Sequence, residues 1–546
     1  MKNKLKGIIG FILAFTIVFS LLSMTACHYF DNNGAGDSDG DGTGDDTPHV
    51  PVLDPVDDNY RTFYQIFVGS FSDGNNDGIG DLRGIINRMD YLNDGDITSG
   101  DDLGVQGIWL SPIFSSPTYH KYDAMDYYKI DWRFGNEETL KELIALCHER
   151  NVKIILDLVL NHTSSQHPWF TEFIEARMKG DTTNKYYDYY TAVTTAEKKN
   201  GVTYQKIGGV DFWFECNFSG DMPELNYDNP EVKEEMLNIA KYYLDLGIDG
   251  FRFDAVKYIY YGDTNRSVEF WEWYMNELEA YRPEIYCVGE CWSGESEILD
   301  YYSAMNCFDF AIEKQVTRVV RGSSISSFLY YVESFQEKTQ KNNPNGMPMF
   351  FLTNHDMDRI AGSFTTAKHM RMAANLYLLA PGSPFIYYGE EIGIRGSRGT
   401  AMTDANRRLA MLWGDSDIIK NPVGSTYDKK YQITTTVASQ LTDENSLLNA
   451  YQEVISVRNR YPAIARGDYN VLTSSKSNFG GFYVEYNGEV IAIFHNTSTS
   501  QITIDISKCS GLNGYSFSEI CEVLGDDATL DGTMLTIDGQ TSVILK

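Results

Sequence analysis

Three carboxylates stand at the ends of short apolar runs: Asp254 in DGFRFDAV, Glu290 in VGECW and Asp356 in LTNHDMDR. In the first run Phe251 and Phe253 alternate with Arg252 and Asp254, the period of two that marks a strand. An ionised carboxylate is costly to bury alone, and Arg252, two residues back on the same strand face, is the partner Asp254 needs. A structural ion pair would explain this octapeptide by itself. It does not explain two further carboxylates placed the same way. The chain has no CxxC or HExxH spacing and no Ser–His pairing that would suggest other chemistry. Carboxylates gathered at one site suit acid/base work on an acetal, where one carboxyl protonates the leaving oxygen and another attacks or activates water. Like charge and burial raise the pKa of the proton donor, so a cluster of three supplies its own tuning.

The elements that must hold these residues follow a rhythm. Phe63 to Phe67 (FYQIF), Val105 to Leu110, Lys153 to Leu160 (KIILDLVL), the Asp249–Val256 stretch, Glu284 to Gly289, Met347 to Thr353 and Pro384 to Tyr388 read as strands. Helical periods, such as Leu140 to Arg150 and Glu231 to Leu246, lie between them. Repeated strand–helix–strand order predicts a parallel α/β fold. The predicted fold class is α/β: a (β/α)8 barrel with a subdomain inserted after the third strand and a C-terminal antiparallel β-sandwich. In such a barrel the active residues sit at the C-terminal strand ends. Asp157 and His162, Arg252 and Asp254, Glu290, and His355 with Asp356 all fall there.

The expected boundaries are a signal peptide over 1–26, a flexible acidic linker over 27–56, the barrel over 57–162 and 230–459, the insertion over 163–229 and the β-sandwich over 460–546. Lys2, Lys4 and Lys6 precede an apolar run from Ile8 to Leu22, too short for a comfortable membrane span and right for a secretory signal. Ser23-Met24-Thr25-Ala26-Cys27 resembles a bacterial lipobox, which implies lipidation of Cys27 and a protein held on a membrane by that anchor alone. The Asp-, Gly- and Ser-rich stretch from Asp31 to Pro51 reads as a tether. With Cys27 set aside, seven of the eight cysteines remain, an odd number; Cys509 and Cys521 are the one pair to test for a bridge.

A net charge of −31 over 546 residues argues against nucleic acid or anionic lipid as partner, while a neutral glycan is not repelled. Aromatic residues make up 14% of the chain, enough to furnish binding surfaces besides a core. Directly after the first strand comes DGNNDGIGDLRG. Asp73, Asn75, Asp77 and Asp81, with the backbone carbonyl of Ile79, are hard oxygen ligands at the offsets of a calcium loop. The twelfth position is Gly84, where an EF-hand needs Glu, so the expectation is a structural Ca2+ loop and no sensor.

The motifs DLVLNH, GFRFDAVK, VGECW and TNHD occur in the order and spacing of the α-amylase family of glycoside hydrolases, and GVQGIWLSPIF and GSPFIYYGEE match further segments of it. The chain resembles that family from about Tyr60 to its end. The resemblance implies Asp254 as nucleophile, Glu290 as general acid/base and Asp356 as the carboxylate that holds sugar hydroxyls. It implies Arg252, His162 and His355 as sugar ligands, Tyr122 in YHKYD as stacking floor and Lys257 on the leaving-group side. Asp157 would brace Arg252. A His follows the lysine of AVK in many members; here it is Tyr258, which breaks the pattern of a second calcium site at Asn161. MPELN (Met222 to Asn226) falls between the motifs of oligo-1,6-glucosidases and neopullulanases.

The resemblance implies a retaining enzyme that cleaves α-1,4-glucosidic bonds in starch and maltodextrins. Exo-acting relatives carry an Asp three residues before the stacking tyrosine, paired with the arginine of NHDxxR. Here that arginine is Arg359 but the position is Tyr119, so endo action is expected. The alternatives are an exo-acting α-glucosidase, a neopullulanase or cyclomaltodextrinase, a glucan transglycosylase and, in another class, a non-catalytic glycan-binding surface protein.

Overall fold

The structure, a computed structural model, describes residues 56–546. The expected signal peptide, Cys27 and the linker up to residue 55 lie outside the described residues. Eight parallel strands form one sheet: β1 Phe63–Ile66, β2 Gly107–Leu110, β3 Lys153–Leu158, β4 Gly250–Phe253, β5 Tyr286–Gly289, β6 Asn306–Asp309, β7 Met349–Phe350 and β8 Phe385–Tyr387. Their order is β7-β6-β5-β4-β3-β2-β1-β8, and a parallel bridge from Phe351 to Phe385 closes the ring. This is a (β/α)8 barrel. Its strands are short and buried along their whole length apart from the first residues of β3 and β6, as parallel strands covered by helices must be. Aromatic rings fill the barrel: Phe63 lies against Tyr286 and Phe385, and Trp109 against Phe308.

The register of three central strands fixes the chemistry. Asp157 of β3 pairs with Arg252 of β4, and Phe253 of β4 pairs with Leu158 and with Gly289 of β5. The next residues, Asp254 and Glu290, therefore leave adjacent strands at the same level. Gly250 opens β4 at φ 157°, and a Cβ there would lie 1.7 Å from the Tyr286 carbonyl oxygen, so only glycine lets β4 approach β5 this closely.

Three excursions leave the C-terminal face. Residues 111–136 after β2 contain an antiparallel pair, Phe114–Ser115 with Asp126–Ile130. Residues 163–229 after β3 hold the helix Pro168–Lys179 and a small antiparallel sheet in which Trp213–Glu215 lies between Ala192–Val193 and Tyr204–Gln205. After β8 a long irregular segment runs to the helix Leu447–Arg460. From Asn470 the chain is antiparallel: a five-stranded sheet and a three-stranded sheet enclose a separate core that includes Phe479, Phe494, Leu535 and Val543. Cys509 and Cys521 are unbridged, as are the other five described cysteines. No helix among the described residues is long and apolar enough to cross a membrane.

Candidate active site

The C-terminal ends of the barrel strands open into a cleft of about 690 Å³ whose lining includes Tyr122, His162, Asp254, Lys257, Glu290 and Asp356. Its floor is organised by Arg252, which is fully buried. Arg252 Nη1 donates to Asp157 Oδ1 at 2.8 Å and to Asp254 Oδ1 at 2.6 Å, while Nη2 lies 3.0 Å from Glu290 Oε2. One permanent cation thus faces three carboxyl groups. Burial raises the pKa of two of them, Asp157 and Glu290, so the group is not left with three full negative charges around one positive one. The guanidinium also lies 5.2 Å from the Trp109 ring centroid. Asp157 takes further bonds from Trp109 Nε1 and the Tyr122 hydroxyl and does not line the cleft, so it braces Arg252 and Tyr122.

Between the two central carboxylates the backbone is strained. Ala255 adopts φ 47°, a left-handed conformation uncommon for a residue with a side chain. The turn aims the Ala255 N–H at Glu290 Oε2, 3.2 Å away. Burial pushes the Glu290 carboxyl up to about 8; Arg252 pulls the other way, and the negative charges of Asp254, Asp356 and Asp157 add to the rise. Glu290 therefore holds its proton at neutral pH, as a general acid must. Asp356 is the opposite case. Burial opposes its ionisation, but His355, Arg408 and Arg252 outweigh burial and hold it well below the usual carboxylate range. Two carboxyls in one cleft are thereby separated into a proton donor and an anion.

The histidines are neutral donors. His355 Nδ1 sits 2.7 Å from Gln65 Nε2, which assigns the proton to Nε2. That nitrogen lies 2.9 Å from Asp356 Oδ2 and 2.6 Å from the Tyr122 hydroxyl. The Tyr122 ring stacks on His355 at 5.2 Å and 9°, and Tyr122 lines the cleft. His162 accepts at Nδ1 from Asn161 Nδ2, and its buried Nε2 has no hydrogen-bond partner among the described residues. Burial lowers its pKa to about 4, so the ring offers an N–H to a hydroxyl of whatever occupies the cleft. Lys257 donates to the Trp292 carbonyl at 2.7 Å. Trp292 is 48% exposed and stacked on Phe310, and Phe218, 46% exposed, lies between His162 and Tyr258; Trp292, Phe218 and Tyr258 all line the cleft.

Arg359 corrects the expectation drawn from NHDxxR. Its guanidinium turns away from the cleft, donating to the carbonyls of Arg407 and Tyr388 and lying over the rings of Tyr387 and Tyr388. The arginine at the cleft is Arg408, which the sequence reading missed. It donates to Asp356 Oδ1 at 2.6 Å and to the Tyr119 hydroxyl at 3.1 Å. Its neighbours Arg398, Met402 and Asp404 line the same end. No local motif announces Arg408; it arrives from the irregular segment after β8.

In the Asp73 loop each odd position uses one oxygen on the N–H two residues ahead: Asp73 on Asn75, Asn75 on Asp77 and Asp77 on Ile79. Asp73 also takes the N–H of Gly78, which sits at φ 92°. Asp81 Oδ1 accepts from Gly84 and so caps the helix Leu82–Asn87. The donors are the hard oxygens that suit Ca2+. Among the described residues, no three His, Cys, Asp or Glu side chains gather as ligands of one ion, so any metal here would need the Asn75 amide and the Ile79 carbonyl as well.

Residues 65–467 match the family description "Alpha amylase, catalytic domain". The chain belongs to the α-amylase family. It is an enzyme of the glycoside hydrolase and transferase class that this family comprises. It is 34% identical over 457 residues to Alpha-amylase 3 of Dictyoglomus thermophilum, covering 82% of this chain and 86% of that one. It is 33% identical over 350 residues to a 4-alpha-glucanotransferase of Thermotoga maritima, covering 61% of this chain and 72% of that one. Among solved structures, Eubacterium rectale Amy13B superposes with a TM-score of 0.83 at 31% identity, covering 91% of this chain and 97% of that one.

Proposed function

We propose that this enzyme hydrolyses α-1,4-glucosidic bonds of starch and maltodextrins with retention of anomeric configuration. The reading rests on one observation: Glu290, whose carboxyl burial pushes up, and Asp254, paired with Arg252, leave adjacent strands at matched positions. Glu290 protonates the glycosidic oxygen and Asp254 attacks the anomeric carbon. Glu290, now a base, then activates the water that opens the glycosyl–enzyme bond. Asp356 and His162, which line the cleft, hold the sugar on Tyr122, while the fully buried Arg252 and His355 position the carboxyl groups behind them; the bonds to the sugar strengthen as the ring flattens toward an oxocarbenium ion. A non-catalytic glycan-binding role is disfavoured, because a scaffold gains nothing from three buried carboxylates around one arginine. The test is proton NMR of the first products: α-anomers are expected, and β-anomers overturn retention. Asp254→Asn and Glu290→Gln should each lower turnover by about 10³-fold or more.

A second reading, transfer to a sugar acceptor, is favoured by Trp292 and Phe218, half-exposed rings on the leaving-group side where an acceptor sugar can stack. Release of glucose and longer maltodextrins from maltotriose alone is its signature.

A structural Ca2+ belongs to the same reading: Asp73, Asn75, Asp77, Asp81 and the Ile79 carbonyl would hold it, and since the three Asp side chains do not already gather around one point, binding would have to draw them together. It would stabilise the turn after β1 and touch no reacting atom. We further infer from the lipobox-like run that Cys27 carries a lipid anchor.

A further inference from the structure

Trp132 is 81% exposed, the most exposed aromatic side chain among the described residues. It stands on the excursion between β2 and the helix Glu137–Glu149, the segment that also carries Tyr119 and Tyr122 of the cleft. Its surroundings are rigid. Asp131, directly before it, is buried and receives Lys121 Nζ at 2.8 Å and Arg133 Nε at 2.7 Å. The Asp131 N–H is bonded to the Ile113 carbonyl at 2.8 Å, and the Asp131 carbonyl accepts from Phe134, which is buried. Arg133, directly after Trp132, donates to the Ser116 carbonyl at 2.9 Å, and its guanidinium lies 5.8 Å from the Trp132 ring centroid. Both chain neighbours of Trp132 are thus pinned while its indole stands in solvent. Lys121, which pins Asp131, is the residue before Tyr122 and is itself buried in a left-handed conformation at φ 67°. The exposed ring and the sugar floor share one ion-paired support.

We propose that Trp132 is a second glucan-holding platform, outside the cleft, on which a stretch of the α-glucan substrate stacks. The proposal rests on the glucan reading of the cleft. A large flat ring on a preorganised base, at no more ordering cost than it has already met, is what the apolar face of a pyranose needs. A chain of net charge −31 repels polyanions but leaves a neutral polymer free to approach. The Lys121–Asp131 pair that supports both Tyr122 and Trp132 favours the polymer the cleft takes, an α-glucan, as the occupant. A second copy of the protein is the competing occupant.

The experiment measures retention on starch granules and in native gels containing soluble starch, with Asp254→Asn present so that the glucan is not consumed. Trp132→Ala should weaken retention about threefold or more, and Trp132→Phe should keep most of it. With Asp254 intact, Trp132→Ala should leave kcat/KM on maltotetraose within about twofold of wild type. Unchanged retention in Trp132→Ala overturns the proposal. So does a shift of that variant to a smaller species in size-exclusion chromatography, which would make the ring a self-association surface. If Trp132→Ala changes nothing while the wild type still cuts starch, only the platform fails. If the wild type neither cuts nor binds glucan, the reading of the cleft fails with it.

Discussion

Arg408 and Asp356 meet at 2.6 Å across the wall of the cleft, and the second arm of the guanidinium is fixed by the Tyr119 hydroxyl. Asp356 comes from the end of β7 and Arg408 from the segment after β8, so the pair ties two parts of the rim together. Its role follows from charge. Asp356 must stay anionic in the cleft it shares with Glu290, which must stay neutral, and the permanent cation paired with Asp356 keeps the two states apart.

Arg408→Met should therefore lower kcat/KM about 10- to 100-fold, because Asp356 loses its orientation. The acid limb of the pH profile should move upward, since the anion is no longer held by a fixed positive charge. Lys should rescue poorly, having no fork to reach both Asp356 and Tyr119. Arg359→Met should behave differently. Its guanidinium serves buried carbonyls, so the variant should lose about 2 kcal/mol or more of stability and lose less activity than Arg408→Met. Denaturation curves and steady-state kinetics on the pair decide this. Equal kinetic damage with no stability loss in Arg359→Met would restore that arginine to the sugar site.

Glu290 sets the alkaline limb. Its carboxyl sits at about 8 in the fold against an ordinary value of 4.5, so kcat/KM should fall as pH rises through about 8. Asp356→Asn removes one of the negative charges that raise it, and the limb of the residual activity should move to lower pH. The stability sign is fixed by the same shift. A folded value above the unfolded one contributes stability that is fully present below pH 4.5 and is lost as pH rises through 8. A profile flat to pH 10, with the chemical step limiting, would remove Glu290 from the role of acid.

The sequence was most legible where chemistry and periodicity coincide. Asp254, Glu290 and Asp356 each end an apolar run, and their strands carry them to one mouth. The strand Asn306–Asp309 was not read, because four residues with Asn and Asp at their ends show no alternation. Arg408 was missed for a different reason. It follows a turn at Asp404–Arg407 in a segment without period, and only closure of the barrel brings it to Asp356. Arg359 was placed by its distance from Asp356 along the chain, and spacing outside a regular element does not set where a side chain points. Here the inward-facing backbone carbonyls of Arg407 and Tyr388 captured it instead.

Chelation tests the Asp73 loop. Binding to the folded state alone raises stability by mass action, so a chelator should lower Tm more than it lowers activity measured well below Tm. Asp77→Ala should abolish the chelator's effect. Unaltered chelator sensitivity in that variant would place the ion elsewhere, and none in the wild type would dismiss it.

Cys27→Ala tests the anchor. The tether that follows has no long apolar stretch, so the variant should appear in the soluble fraction once its signal is cleaved, while the wild type sediments with membranes. One acyl chain binds only marginally, so wild-type anchoring stable to high salt and dilution implies more than one chain on Cys27. Retention of the cleaved alanine variant on membranes would refute lipidation.

The last prediction is internal cleavage. Where an exo-acting relative sets an Asp against an arginine, this cleft has Tyr119, and its hydroxyl accepts from Arg408. A tyrosine supplies no carboxylate to grip a chain end, and its ring is a surface along which a longer chain can continue. Arg398, Met402 and Asp404 lie beyond it, with Arg398 held to Asp404 at 3.0 Å. They are placed to contact further sugar units. On amylose the enzyme should therefore abolish iodine staining well before much reducing sugar appears, and the first products should be mixed oligosaccharides. Tyr119→Asp should restore a charged end wall against Arg408 and shift early products toward glucose. Glucose as the sole early product of the wild type, with staining lost only in proportion, would make the enzyme exo-acting and overturn the argument from Tyr119.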